Sequence, residues 1–174
     1  QARLLGVDSA LDQTHVNFTG AGIINLTGQS NYQGRTTVEG MMLVLAVDQA
    51  LDANSAITVQ GNGSLSLGSK QHLIKSLTLN SGKLQTGTLL AGSVVTSKGG
   101  TIDGVIAKDI ALTTNSGTTN LTGISTFGDV TVKNTSTLTL YTDVGQTLKL
   151  KTLTVDAGGT LIIGANGKGA TVQN

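Results

Sequence analysis

The sequence predicts an all-β chain wound as a parallel β-helix of about seven to eight turns, and three observations carry that expectation. The first is an internal repeat: LLGVDSALDQT at residues 4–14 returns forty residues later as VLAVDQALDAN at 44–54. Leu5, Val7, Asp8, Ala10, Leu11 and Asp12 match Leu45, Val47, Asp48, Ala50, Leu51 and Asp52. The second is a looser unit that follows, in which a short alternating strand, a turn of Gly, Asn or Ser and another alternating strand recur about every twenty residues. The third is composition. Aromatic residues are 2% of the 174 and Trp is absent, so the core must be built from Val, Ile, Leu and Ala, which suits a narrow, regular interior. Pro is absent beside 24 Gly, which suits strands that donate hydrogen bonds on both edges.

The elements follow in order. Residues 18–45, FTGAGIINLTGQSNYQGRTTVEGMMLVL, alternate apolar and polar residues between glycines, as strands with tight corners do. AVDQALDANSA interrupts this rhythm and reads as a turn or loop standing off the stack. Strand units then start at Ile57, Leu77, Val94, Leu112, Val130 and Leu153, spaced 20, 17, 18, 18 and 23 residues apart. One turn of a β-helix has this size, whereas a propeller blade needs about twice as much chain. Ile57, Val59, Leu65 and Leu67 are expected to point inward and stack on like residues of adjacent turns. The intervening Thr, Ser and Asn are expected outside. We read 1–174 as a single β-helix within a longer precursor, with 1–56 as the repeat region and 57–174 as looser turns.

Within that first region, the run TGAGIINLTGQSNYQGRTTV resembles the autotransporter-associated β-strand repeat of bacterial type V secretion passengers. The resemblance rests on Gly20, Gly22, Leu26, Gly28, Asn31, Tyr32, Gly34, Thr36 and Thr37 and covers about a quarter of the chain. Where the family continues with a two-residue turn and Gly-Thr-Leu, this chain has Glu39-Gly40-Met41-Met42-Leu43. The resemblance implies a right-handed β-helix on the surface of a Gram-negative bacterium or shed from it, joined to an outer-membrane β-barrel. It further implies adhesion or self-association, with a sister cell or host cell as partner.

Candidate sites are few. Ten acidic residues are scattered, and only Asp8/Asp12 and Asp48/Asp52 recur as pairs, each within a repeated segment, so turn and capping roles outweigh catalysis. The loop residues Asp48, Gln49, Asp52 and Asn54 are the best candidates for an interaction surface. His15 and His72 stand alone and read as surface or loop histidines. A flat ice-binding array would require Thr-x-Thr at one place in every turn, which LTL, VVT, LTT and VTV do not keep. Glycine-rich TGAGI and QGNGS lack the Gly-Lys-Ser/Thr of a phosphate loop and read as corners.

Charged residues are 12%, about half the usual share, and the net charge of +1 comes from dispersed residues. Without a basic stripe interleaved with aromatics, nucleic acid is not an expected partner. No cysteine is present, so neither disulfides nor thiolate metal sites are available, and no cofactor is expected. The expected function is a structural and adhesive stem rather than an enzyme. A polysaccharide-active β-helix, which would need a groove with paired carboxylates, and an adhesin of the two-partner secretion type are the alternatives.

Overall fold

The computed structural model describes residues 15–123, 125–141 and 148–164, together with the backbone of 172–173. Every regular element in these residues is a β-strand. In chain order, β1 (His15–Thr19) and β2 (Ile23–Leu26) are followed by β3 (Arg35–Glu39) and β4 (Met42–Leu45). Next come β5 (Ala56–Gln60), β6 (Ser64–Ser66) and β7 (Gln71–His72), then β8 (Ser76–Asn80) and the long β9 (Gly82–Leu89). β10 (Val95–Ser97) and β11 (Gly100–Ala107) precede β12 (Leu112–Thr114), β13 (Gly117–Thr122) and β14 (Thr126–Val132). The chain continues through β15 (Ser136–Leu140), β16 (Leu148–Val155), β17 (Thr160–Ile163) and β18 (Val172–Gln173).

All pairings between these strands are parallel, and each joins a strand to its equivalent one coil away, so the chain is a β-solenoid. Its first face stacks β1, β3, β5, β8, β10, β12, the end of β14 and the end of β16. The second stacks β2, β4, β6, the start of β9, the start of β11, β13, β15 and β17. The third stacks β7 with the ends of β9 and β11, the starts of β14 and β16, and β18. Successive partners on the first face lie 20, 21, 20, 18, 17, 18 and 23 residues apart, which gives seven coils. At about 4.8 Å per coil the stack is about 34 Å long.

The core is a set of aliphatic rows running along the rod. Ile57, Leu77, Val95, Leu112 and Val130 form one such row on the first face. Leu43, Leu65, Leu84, Ile102 and Leu121 form another on the second. Ile57, Val59, Leu65 and Leu67 are all buried, as the alternation predicts. Because each residue packs on an equivalent residue one coil away, side chains of similar size and branching fill the interior without rings. Phe127 puts an aromatic ring into this aliphatic core, and one of its neighbours in the row is the small Ala107.

The corner between the first two faces explains much of the glycine. In the third, fourth and fifth coils Gly63, Gly82 and Gly100 enter the second face where the backbone of the previous coil leaves no room. A Cβ on Gly100 would lie 2.1 Å from the carbonyl oxygen of Gly82. In the next two coils the corner is longer, and Thr119 and then Leu138 occupy this row. At the repeat's departure from the family pattern, Gly40 takes a left-handed φ of 72° and Met41 is buried beside it in the turn, while Met42 opens β4.

Three expectations are corrected. The segment 46–55 does not stand off the stack, because Ala50 and Leu51 are buried in the core and hold it down. The fifth-coil strand begins at Val95, which is buried and pairs with Leu77 and Leu112, while Val94 is 53% exposed. A one-residue slip reverses which face a side chain takes, and two adjacent valines conceal the register. Finally, His72 is 1% exposed rather than a surface residue. It occupies a core position of the third face, in register with Leu89, where the geometry of the coil overrides its polarity.

Candidate functional site

The outer surface of the first face carries a single row of threonines. Thr37, Thr58, Thr78, Thr96, Thr113, Thr131 and Thr154 are in register through seven successive strands, and Asn17 precedes them. β-branched side chains favour exposed strand positions, and like pairs across a ladder stabilise one another, so part of this row is structural. The Thr-x-Thr pattern is absent, but one Thr per coil is kept without interruption. Starting the fifth-coil unit at Val94 hides it. Read from Val95, the units ITV, LTL, VTS, LTT, VTV and LTV all place Thr second.

Two rows flank the threonines, a polar one downstream and a mixed one upstream that includes Ala56 and the exposed Val94. The upstream row opens with His15, Arg35, Ala56 and Ser76 and ends with Asp129 and Thr152. The downstream row opens with Thr19, Glu39 and Gln60 and carries Lys133 and Asp156 at its far end. Hydrogen bonds run along these rows between coils: Gln60 donates to Glu39 at 2.9 Å, Thr152 to Asp129 at 2.7 Å, and Lys133 pairs with Asp156 at 3.0 Å.

At the upstream border of this face lies a groove of about 380 Å³, lined by His15, Gln33, Gly34, Arg35, Asn54, Ala56, Lys75 and Ser76. The charged side chains lining it are cationic. His15 Nε2 lies 2.6 Å from Thr37 Oγ1, which ties it to the threonine row. The Tyr32 hydroxyl donates to the Arg35 carbonyl at 2.7 Å, and Ser55 Oγ donates to the Tyr32 carbonyl at 2.8 Å, so the corner behind the groove is fastened through its backbone. A second concavity of about 570 Å³ on the third face is lined by Ile106, Phe127 and Leu150 with Lys108, Lys149, Lys151 and Asp109 at its edge.

The structure places the loop candidates as follows. Asp48 Oδ1 accepts the backbone N–H of Gln71 at 2.8 Å. Gln49, with φ of 50°, accepts the backbone N–H of Leu73 on its side-chain oxygen. Both therefore lace one coil to the next. Asp52 Oδ1 accepts the backbone N–H of Asn54 at 2.8 Å and its side-chain amide at 3.1 Å, a local turn of the kind Asp favours. Asn54 lines the groove. Asp8 and Asp12 lie outside the described residues.

The fold changes the titration of His72. Its Nε2 donates to the Leu67 carbonyl at 3.0 Å, and its Nδ1 is buried without a partner. Burial holds its pKa below the usual histidine value, against smaller opposing effects of the Leu67 carbonyl and the Asp48 charge. It is a core residue rather than a surface ligand.

Compared with known protein families, curated proteins and solved structures, the chain matches none. The repeated polar face and the cationic groove beside it are missed by a search for motifs. A period-2 alignment anchored on the buried row finds the first, and the second depends on residues from separate coils.

Proposed function

We propose that this chain is the stem of a bacterial surface passenger of the autotransporter type, carried to or beyond the outer membrane, and that neighbouring stems associate through the first face. One observation carries this reading: the outer charges of the second and seventh coils on that face, Arg35 and Glu39 against Asp129 and Lys133, are self-complementary. Consider a second copy placed face to face, with a twofold axis parallel to the strands between Thr78 and Thr96. The order of coils is reversed and each row lies opposite itself. Arg35 then faces Asp129 of the second copy, Glu39 faces its Lys133, and threonine faces threonine along the centre. Such isologous contacts close on themselves, as those of most homo-oligomers do.

Eight strands about five residues wide present roughly 550 Å² per copy at the strand spacing and rise, at the small end of specific interfaces. Association should be weak and reversible between free chains and strong where many stems are arrayed on two surfaces. The sequence resemblance over 18–45 supports the cellular setting.

The test is sedimentation across a concentration series. The unmodified chain should dimerise reversibly. Arg35→Asp and Asp129→Arg should each weaken the dimer, because each places like charges together twice. An equimolar mixture of the two should dimerise again, since both contacts are then opposite in sign. A chain that stays monomeric throughout overturns the self-association reading. Dimers indifferent to all three arrangements overturn this face as the contact.

A further inference from the structure

Beyond pairing with itself, the chain has a groove whose chemistry is one-sided. Gln33, Arg35, Asn54 and Lys75 line it with His15, and no carboxylate does. Among the described residues the ion pairs are Lys83 with Asp103 and Lys133 with Asp156, so Arg35 and Lys75 face the groove without a counter-charge. Arg35 is in register with Ala56, which is in register with Ser76 next to Lys75. Two coils, about 10 Å, therefore separate the two cations along the rod. A concavity lined by one sign of charge focuses the field and concentrates counter-ions.

The neutral groups sharpen the picture. Asp52, which is not part of the lining, accepts both nitrogens of Asn54 on Oδ1 and fixes that carboxamide in place. The Asn54 side-chain oxygen and the Gln33 amide face the groove as hydrogen-bond partners. No Phe, Tyr or Trp lines the groove, which leaves a nucleobase only His15 and Arg35 on which to stack.

We infer that the groove binds an acidic polysaccharide laid along the rod axis. Acid groups on alternate sugars meet Arg35 and Lys75, and hydroxyls between them meet Gln33 and Asn54. The spacing of the cations over two coils favours a polymer in which every second sugar is charged. Charge-assisted hydrogen bonds from the guanidinium and ammonium supply affinity, and the amides distinguish a sugar from other polyanions.

Titration of the purified chain with oligomers of hyaluronan, charged on every second sugar, of oligogalacturonate, charged on every sugar, of neutral dextran and with a single-stranded oligonucleotide tests this. Acidic oligosaccharides should bind, with affinity falling as salt rises, and dextran should not. Hyaluronan oligomers should bind at least as tightly as oligogalacturonate, because the two cations are two coils apart. Lys75→Ala and Asn54→Ala should each weaken acidic-glycan binding about tenfold. Lys75 lies off the pairing rows, so its loss should leave self-association intact, separating this inference from the face contact. Absence of glycan binding, binding unchanged by both substitutions, or equal affinity for the oligonucleotide would overturn it.

Discussion

Ser97 Oγ and Thr119 Oγ1 lie 2.7 Å apart inside the solenoid, both buried, at the corner where the fifth coil passes beneath the sixth. Ser97 also reaches the Gly99 carbonyl at 3.3 Å, and the next coil repeats the arrangement with Thr114 and Ser136 at 2.8 Å. Hydroxyls here satisfy one another where the longer corners replace the glycine row. Removing Ser97 strands the Thr119 hydroxyl in an apolar interior, at a cost of about 1–3 kcal/mol, whereas Ser97 keeps the Gly99 carbonyl when Thr119 is replaced. Ser97→Ala should destabilise by about that amount and Thr119→Val by less, while the double variant should lose less than the sum, by about 1 kcal/mol. Urea unfolding of the four proteins measures it.

Thr36 is the contrasting case. It sits in an aliphatic row in register with Val16 and Ile57, fully buried, and its hydroxyl has no partner. Thr36→Val keeps the shape and removes the unpaired group. It should raise stability by about 1 kcal/mol in thermal or urea unfolding.

His72 predicts an acid sensitivity. Its folded pKa lies below 6.5, whereas the unfolded side chain protonates near 6.5. The unfolded state therefore binds more protons as pH falls from that value, and its contribution to stability, fully present above it, is lost down to the folded pKa. His72→Leu should abolish this component between pH 7 and 5. The Leu67 carbonyl keeps the Lys70 backbone N–H at 2.9 Å, so the substitution leaves no acceptor stranded. Unfolding of both proteins across this range is the measurement.

Gly100 and Gly104 separate two uses of glycine. Both have left-handed φ, 122° and 64°, but only Gly100 abuts backbone; the nearest group to a Cβ at Gly104 is a Thr86 methyl at 3.9 Å. Gly104→Ala should cost about 1–2 kcal/mol for its conformation alone. Gly100→Ala should cost about 3 kcal/mol or more, because neighbouring coils must separate. Thermal unfolding of the pair distinguishes them.

The sequence by itself determined the class of fold, the coil length and the buried rows through Ile57, Val59, Leu65 and Leu67. Period-2 alternation and a twenty-residue recurrence have few other solutions, and stacking makes each coil's constraint the same as its neighbour's. It did not determine the phase of the fifth coil at Val94 and Val95, and hence not the unbroken threonine row, because two adjacent valines satisfy the alternation in either register. Nor did it show that His72 is buried, since a polar residue in a third-face strand of two residues leaves no periodic signal. The groove was decided by tertiary structure alone. His15, Arg35, Asn54 and Lys75 belong to successive coils about twenty residues apart, and only the vertical spacing of the coils brings their side chains to one wall.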